Sequence, residues 1–180
     1  MTSVVGVLKA EHDALMSHLL KNEPSLAVST GQTLSKALLL AGASELEVDI
    51  VKIILDFFEE VSSGNVTAVQ FVENKALKRQ YHALFSWEAS NANQFFAFFG
   101  PDLKQYAAEL VKSNDVLADG IAGFLSLGSL RNQLVHGNFA SFSLSQTAKE
   151  IYDLYNRACT FRDALPALLR HTAMPAPVET

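Results

Sequence analysis

The chain has 180 residues, 14 Lys plus Arg against 19 Asp plus Glu, and a formal net charge of −5. Apolar residues make up 49% and charged residues 18%, which excludes general disorder and fits one domain burying roughly 70% of its unfolded surface. The single cysteine, Cys159, excludes an internal disulfide and a multi-cysteine zinc site.

Residues 3–21 read as a first helix, stopped before Pro24. Residues 32–60 carry the clearest apolar stripe: Leu34, Ala37, Ala41, Ser44, Val48, Val51, Leu55 and Phe58, at alternating spacings of three and four. Gly64 should end that helix, and Asn65 or Thr67 should start the next, to about Gln80. Residues 81–101 crowd Tyr81, Phe85, Trp87, Phe95, Phe96, Phe98 and Phe99 together, and Gly100-Pro101 closes the segment. Aromatics without interleaved Lys or Arg read as a layer over a helical core in preference to a base-stacking surface. Residues 115–136 form a further helix through Leu117, Ile121, Phe124, Leu127, Leu130 and Leu134. Thr147 and Glu150 have capping-box spacing, ahead of Ile151, Leu154, Ala158, Phe161 and Leu165, with Pro166 expected to end or kink the helix. No stretch alternates with period two. The expected fold is all-α, a helical bundle over residues 1–170 with a flexible tail at 171–180.

The N-terminus has no basic n-region, so a secretory leader is not expected and a cytoplasmic location is. The best apolar runs are broken by Glu45, Glu47, Asp49, Lys52 and Asp56, so no membrane association is expected. The acidic balance argues against a broad nucleic-acid-coating surface, but leaves room for one small basic site.

The residues that carry chemistry are Arg131-Asn132-Gln133-Leu134-Val135-His136-Gly137-Asn138. On a helix, Asn132 and His136 are four apart and share a face, and the long Arg131 side chain can lean toward the same point. Gly137 lets the chain turn just after the histidine. His136 falls in the last turn, where the helix dipole favours a cation. A fixed cation, an amide and a titratable imidazole then converge at a helix end.

The octet, R-N-x-x-x-H-G-N, is similar to the motif of HEPN domains, small helical domains many of which are metal-independent endoribonucleases of toxin–antitoxin and anti-phage systems. Tyr81-His82-Ala83-Leu84-Phe85-Ser86-Trp87, with the segment from Asn91 to Gly100, resembles a block of the RiboL-PSP-HEPN branch. So does Lys36-Ala37-Leu38-Leu39-Leu40-Ala41-Gly42-Ala43-Ser44-Glu45-Leu46-Glu47. The resemblance covers roughly Leu34 to Leu169, and its specific part is the octet. It implies an RNA substrate, no cofactor or metal, a homodimer with both motifs lining one cleft, and an antitoxin or regulator on a separate chain.

Such chemistry suits these residues. RNA carries its own nucleophile, the 2′-hydroxyl. Histidine titrates near neutral pH and can move that proton. Arginine stays charged and grips two oxygens of a phosphorane. Asparagine can orient the imidazole or donate to a phosphate oxygen. Arg131, Asn132 and His136 are therefore the candidate catalytic residues, with Asn138 as a capping residue and Ser44 and Glu47 in support. Glu47 falls in an otherwise apolar row with Leu40 and Ile54. It should pair with Arg131 or His136, or else reach water at the core's edge; Glu45 looks more exposed. Lys75, Lys78, Arg79 and His82 form the densest basic patch, which can hold RNA phosphates or simply be a solvated face. Glu11-His12-Asp13 with His18 matches no familiar metal spacing and reads as a solvated face. Cys159 reads as core. The other readings are a catalytically silent HEPN dimer that binds RNA, nucleotide or protein, and a purely structural helical dimer.

Overall fold

The computed structural model describes residues 3–171, and every regular element among them is helical. The tail expected from residue 171 lies, beyond His171, outside the described residues. Ser3 caps α1 (Val4–Asn22) by accepting a hydrogen bond from the Gly6 amide. Pro24 opens α2 (Pro24–Val61), where its missing N–H costs nothing. α2 therefore starts well before the expected residue 32. Ser63 and Gly64 end it at φ 53° and 74°, and the Gly64 amide donates to the Glu59 carbonyl at 2.8 Å. Asn65 caps α3 (Val66–Val72), which loosens into a π-helical turn at Glu73–Leu77, short of Gln80.

A 3₁₀ turn at Tyr81–Ala83 leads to α4 (Asn93–Ala97), α5 (Pro101–Ser113), α6 (Asp115–His136) and α7 (Ala148–Leu169). Sequence patterning missed α4 and α5. Gly100-Pro101 opens α5 as well as closing the aromatic segment: Gly100 takes φ 109° and Pro101 supplies the first helical residue. α7 starts on the expected Thr147–Glu150 capping box. Pro166 does not end α7, because the turn beyond it is held by the buried Leu165, Leu168 and Leu169.

The core forms where α6 and α7 lie against each other and against α2. Leu38, Leu39, Leu46, Ile50 and Ile54 of α2 meet Leu117, Ile121, Phe124, Leu127 and Leu134 of α6 and Ile151, Ala158, Phe161 and Leu165 of α7. Each of these Leu, Ile and Phe side chains gains about 1.5–3 kcal/mol from burial. This corrects the expected α2 stripe. Ala37, Ser44 and Val48 are exposed, and Leu34, Ala41, Val51, Leu55 and Phe58 only half-buried. α2 is apolar around most of its circumference, so spacing alone fits two neighbouring rows. The partner helices select one of them.

The aromatic segment is a layer over the core, as expected, apart from the exposed Phe98. Phe85 stacks on Phe95 and meets Phe124 edge-on, each with centroids 4.8 Å apart. Trp87 lies against Gly128 of α6, where an added Cβ would come within 2.0 Å of the indole ring. Its Nε1 donates to the His82 carbonyl at 2.8 Å. One side chain thus pins the Tyr81–Ala83 turn onto α6.

Gly128→Ala should therefore overpack this contact and cost about 1–3 kcal/mol. Trp87 is the only tryptophan, so its fluorescence reports the event directly. We expect a lower denaturation midpoint together with a shifted emission maximum; neither changing would contradict the contact.

Candidate active site

The motif occupies the last two turns of α6. Arg131 and Asn132 are half-buried, while His136, Gly137 and Asn138 are exposed. The Arg131 Nη1 donates to the Asn132 Oδ1 at 3.2 Å. Asn132 therefore steadies the guanidinium, and its amide N–H groups remain as donors. Gly137 leaves the helix in extended conformation, φ −85° and ψ 175°, so the glycine is not needed for a left-handed turn there. Its requirement is space: an added Cβ would approach the Gln133 carbonyl to 3.0 Å.

Asn138 shapes the chain after the motif, its Oδ1 accepting from the Ala140 amide at 3.0 Å. The next residue is tied across the molecule. Lys36 of α2, only 5% exposed, donates from Nζ to the Phe139 carbonyl at 2.7 Å, and lies 5.1 Å from the Phe139 ring centroid. A buried ammonium with one carbonyl acceptor and an aromatic face is costly to leave unpaired, so the contact holds the loop against α2.

A shallow cleft opens between α2, the Tyr81–Ala83 turn and α6. Glu47, Tyr81, His82, Trp87, Gly128 and Arg131 line it. Glu47 and Arg131 thus share a cleft, but not an ion pair. The ionisable group within 4 Å of Glu47 is His82, whose Nε2 is 3.8 Å from Oε2. This corrects the expected pairing with Arg131 or His136, and the half-exposed Glu47 side chain fits the alternative of a carboxylate reaching water at the core's edge. Ser44, one turn back on α2, is exposed. Glu45 is more engaged than expected, accepting a hydrogen bond from Tyr155.

The local field is set by one carboxylate among cations. Burial, then the positive charge of Arg131, then that of His136, hold the His82 pKa below its ordinary value; Glu47 opposes them. Burial and the Glu47 charge push the Tyr81 phenol up, against Arg131, so it stays a neutral hydroxyl. Sequence reading had placed His82 with Lys75, Lys78 and Arg79. The structure puts His82 in the motif cleft and leaves the other three exposed. Lys75 instead edges a separate apolar groove with Phe58, Phe98 and Phe99. The one available signal for His82 was its place inside the Tyr81–Trp87 block.

Elsewhere, Cys159 is half-buried with its thiol pKa raised chiefly by burial. His12 is not a solvated residue: its Nδ1 contacts Asp13 at 3.1 Å, and its Nε2 is buried without a hydrogen-bond partner. Among the described residues no group of three or more His, Cys, Asp or Glu side chains could hold a metal ion. No helix among them is long and apolar enough to cross a membrane.

An all-helical domain with an Arg-Asn-x-x-x-His motif ending its central helix, facing an aromatic turn and a glutamate-bearing helix, defines a HEPN-class domain. The RiboL-PSP-HEPN family model matches residues 11–169, and the chain belongs to that family. The HEPN class includes ribonucleases and catalytically inactive members. No curated protein and no solved structure matches the chain.

The His82 environment gives a pH prediction. Folding disfavours its protonation, so as pH falls below imidazole's ordinary 6.5 the unfolded chain binds that proton first. This term therefore makes stability rise with pH through that window and fade as pH drops. In an NMR titration, Glu47→Gln should move the His82 midpoint further down and Arg131→Gln should move it up. Midpoints that ignore both substitutions would show that the three charges do not share one field.

Proposed function

We propose that the chain is a metal-independent endoribonuclease of HEPN type, acting as a toxin or anti-phage effector. The observation that carries this reading is the motif geometry: a guanidinium steadied by Asn132, with the exposed His136 one turn further along α6. Arg131 and the Asn132 amide would hold the non-bridging oxygens of the phosphorane as charge builds. His136 would move a proton, and the 2′-hydroxyl of the substrate would attack the adjacent phosphorus. The products would be a 2′,3′-cyclic phosphate, or its hydrolysis product, and a 5′-hydroxyl.

Glu47 belongs to this site as the carboxylate beside His82, and Asn138 as the residue that shapes the chain after the motif. The exposed Lys75, Lys78 and Arg79 would contact RNA phosphates outside the cleft. HEPN domains commonly dimerise and bind RNA. For this chain we propose a two-fold homodimer with both copies of His136 in one cleft; Val48 and Val135, 63% and 49% exposed, give apolar surface for it. An antitoxin or other regulator would be a separate chain.

The net charge of −5 favours a second reading, a silent HEPN dimer that binds RNA, nucleotide or protein, since a free ribonuclease gains from positive steering. Cleavage assays separate the two. With EDTA present, the wild-type protein should cut RNA, and His136→Ala should lower the rate by about 10²–10⁴-fold. Arg131→Lys should not restore full activity, because lysine lacks the planar fork. An oligonucleotide with one 2′-deoxy substitution should resist cleavage at that position. Cutting there at an unchanged rate would make the 2′-hydroxyl the wrong nucleophile. No cleavage of any RNA would favour the silent dimer.

The assembly has its own check. Light scattering at micromolar concentration should report a dimer, and Val48→Glu should shift it toward monomer; a wild-type monomer would reject the shared cleft.

A further inference from the structure

We infer that His82, held beside Glu47 and across the cleft from Arg131, is a second proton-transfer residue of the same active site. The inference rests on the ribonuclease reading above. It starts from placement. The Tyr81–Ala83 turn puts His82 on the wall opposite α6, in the cleft that Arg131 also lines. The backbone that carries it is fixed, because its own carbonyl accepts the Trp87 indole N–H at 2.8 Å while the Trp87 ring lies on Gly128. The ring itself meets Tyr81 edge-on at 5.3 Å between centroids. Its side chain is still 42% exposed, so a substrate can reach it. A fixed backbone, a braced ring and an open face are what a proton-transfer group requires.

Glu47 sets the charge beside the ring. Its Oε2 lies 3.8 Å from Nε2. At that distance the carboxylate acts as a charge rather than a hydrogen-bond acceptor, and it stabilises the imidazolium once the ring takes a proton. Burial and two positive charges, Arg131 and His136, act the other way before reaction and disfavour a proton on His82 in the resting state. The ring therefore rests neutral, next to a carboxylate that supports it when charged.

The step balances within one chain. The His82 imidazole takes the 2′-hydroxyl proton as the 2′-oxygen forms its bond to phosphorus. The bond from phosphorus to the 5′-oxygen breaks, and that oxygen leaves with a proton from His136. The cyclic phosphate forms with no net oxidation or reduction. The two histidines end with exchanged protonation states, which solvent resets. A single motif histidine then needs no second copy of itself to serve as both acid and base.

The test separates base from acid with a leaving group that needs no proton. Three full-length proteins are compared, wild type, His82→Gln and His136→Ala, after equal melting temperatures confirm folding. Each is given RNA with an ordinary 5′-oxygen at the cleaved bond, and the same RNA with a bridging 5′-sulfur. On the ordinary substrate, His82→Gln should lose about 10²–10⁴-fold in kcat, the usual worth of general acid–base catalysis. On the sulfur substrate, His136→Ala should recover most of its loss and His82→Gln should not. A His82→Gln enzyme as fast as wild type overturns the inference while leaving the ribonuclease reading intact. Recovery of His82→Gln on the sulfur substrate overturns its assignment as the base. If the wild-type protein cuts neither RNA, the ribonuclease reading falls, and the role of His82 falls with it.

Discussion

α6 lies closer to its neighbours than a helix of ordinary side chains could. At Gly120 an added Cβ would come within 2.9 Å of the Phe161 amide nitrogen, and at Gly123 within 2.7 Å of Arg157 Cβ. Both glycines face α7. On another side Gly128 receives the flat indole of Trp87. Glycine inside a helix costs roughly 0.5–1 kcal/mol against alanine, so α6 is intrinsically weakened at three places. The gain is contact at backbone distance, which lets Leu117, Ile121, Phe124 and Phe161 close into one core. The half-exposed Arg157–Asp119 ion pair that also joins α6 to α7 adds little by comparison. A helix gripped along its first four turns leaves its last two turns held in place, and those turns carry Arg131, Asn132 and His136.

The opposite wall is built from residues distant in sequence, each tied down by a small number of polar contacts. The Trp87 indole fixes the His82 carbonyl. Ser129, one turn from Gln133 on α6, donates to Glu88 at 2.7 Å, which anchors the chain just past Trp87. Lys36 fixes Phe139 beyond the motif. These contacts bring together a carboxylate from α2, an imidazole from a 3₁₀ turn and a guanidinium from α6. None is deeply buried, so each keeps access to a ligand. Their mutual field still shows, because Glu47 and Arg131 act in opposite directions on both Tyr81 and His82.

What could be read from the sequence was what local physics decides. Asn65 and the Thr147–Glu150 box cap their helices within three residues. The α6 row Leu117, Ile121, Phe124, Leu127, Leu130 and Leu134 is buried as its spacing implies, apart from the half-buried Leu130. The motif itself is contiguous, so its residues could be named from the chain alone. Long-range choices were not legible. α2 offers apolar residues around most of its surface, and only α6 and α7 decide that Leu46 and Ile50 point inward while Ser44 and Val48 point out. α5 was hidden because its start, Gly100-Pro101, also looks like the end of the segment before it. The partner of Glu47 was misassigned because nothing in the α2 sequence says that a turn bearing His82 will lie against it.

The acidic composition and the charges within the cleft act at different ranges. At physiological ionic strength the Debye length is about 8 Å, so carboxylates scattered over the far surface scarcely reach an anion seated between Arg131 and His82. Their effect falls on encounter, where a net charge of −5 slows the approach of a polyanion. Within the cleft the balance is local: Glu47 is the one carboxylate among its lining residues, and it lies beside His82, while the Arg131 guanidinium hydrogen-bonds, among the described residues, to the neutral Asn132 oxygen. A phosphate entering there would meet a fixed cation without having to displace a carboxylate from it, which is the condition for charge stabilisation without reorganisation. On the proposed ribonuclease reading, the lack of a direct Glu47–Arg131 pair among the described residues, where the sequence left pairing and solvation both open, would keep the guanidinium available for an anion.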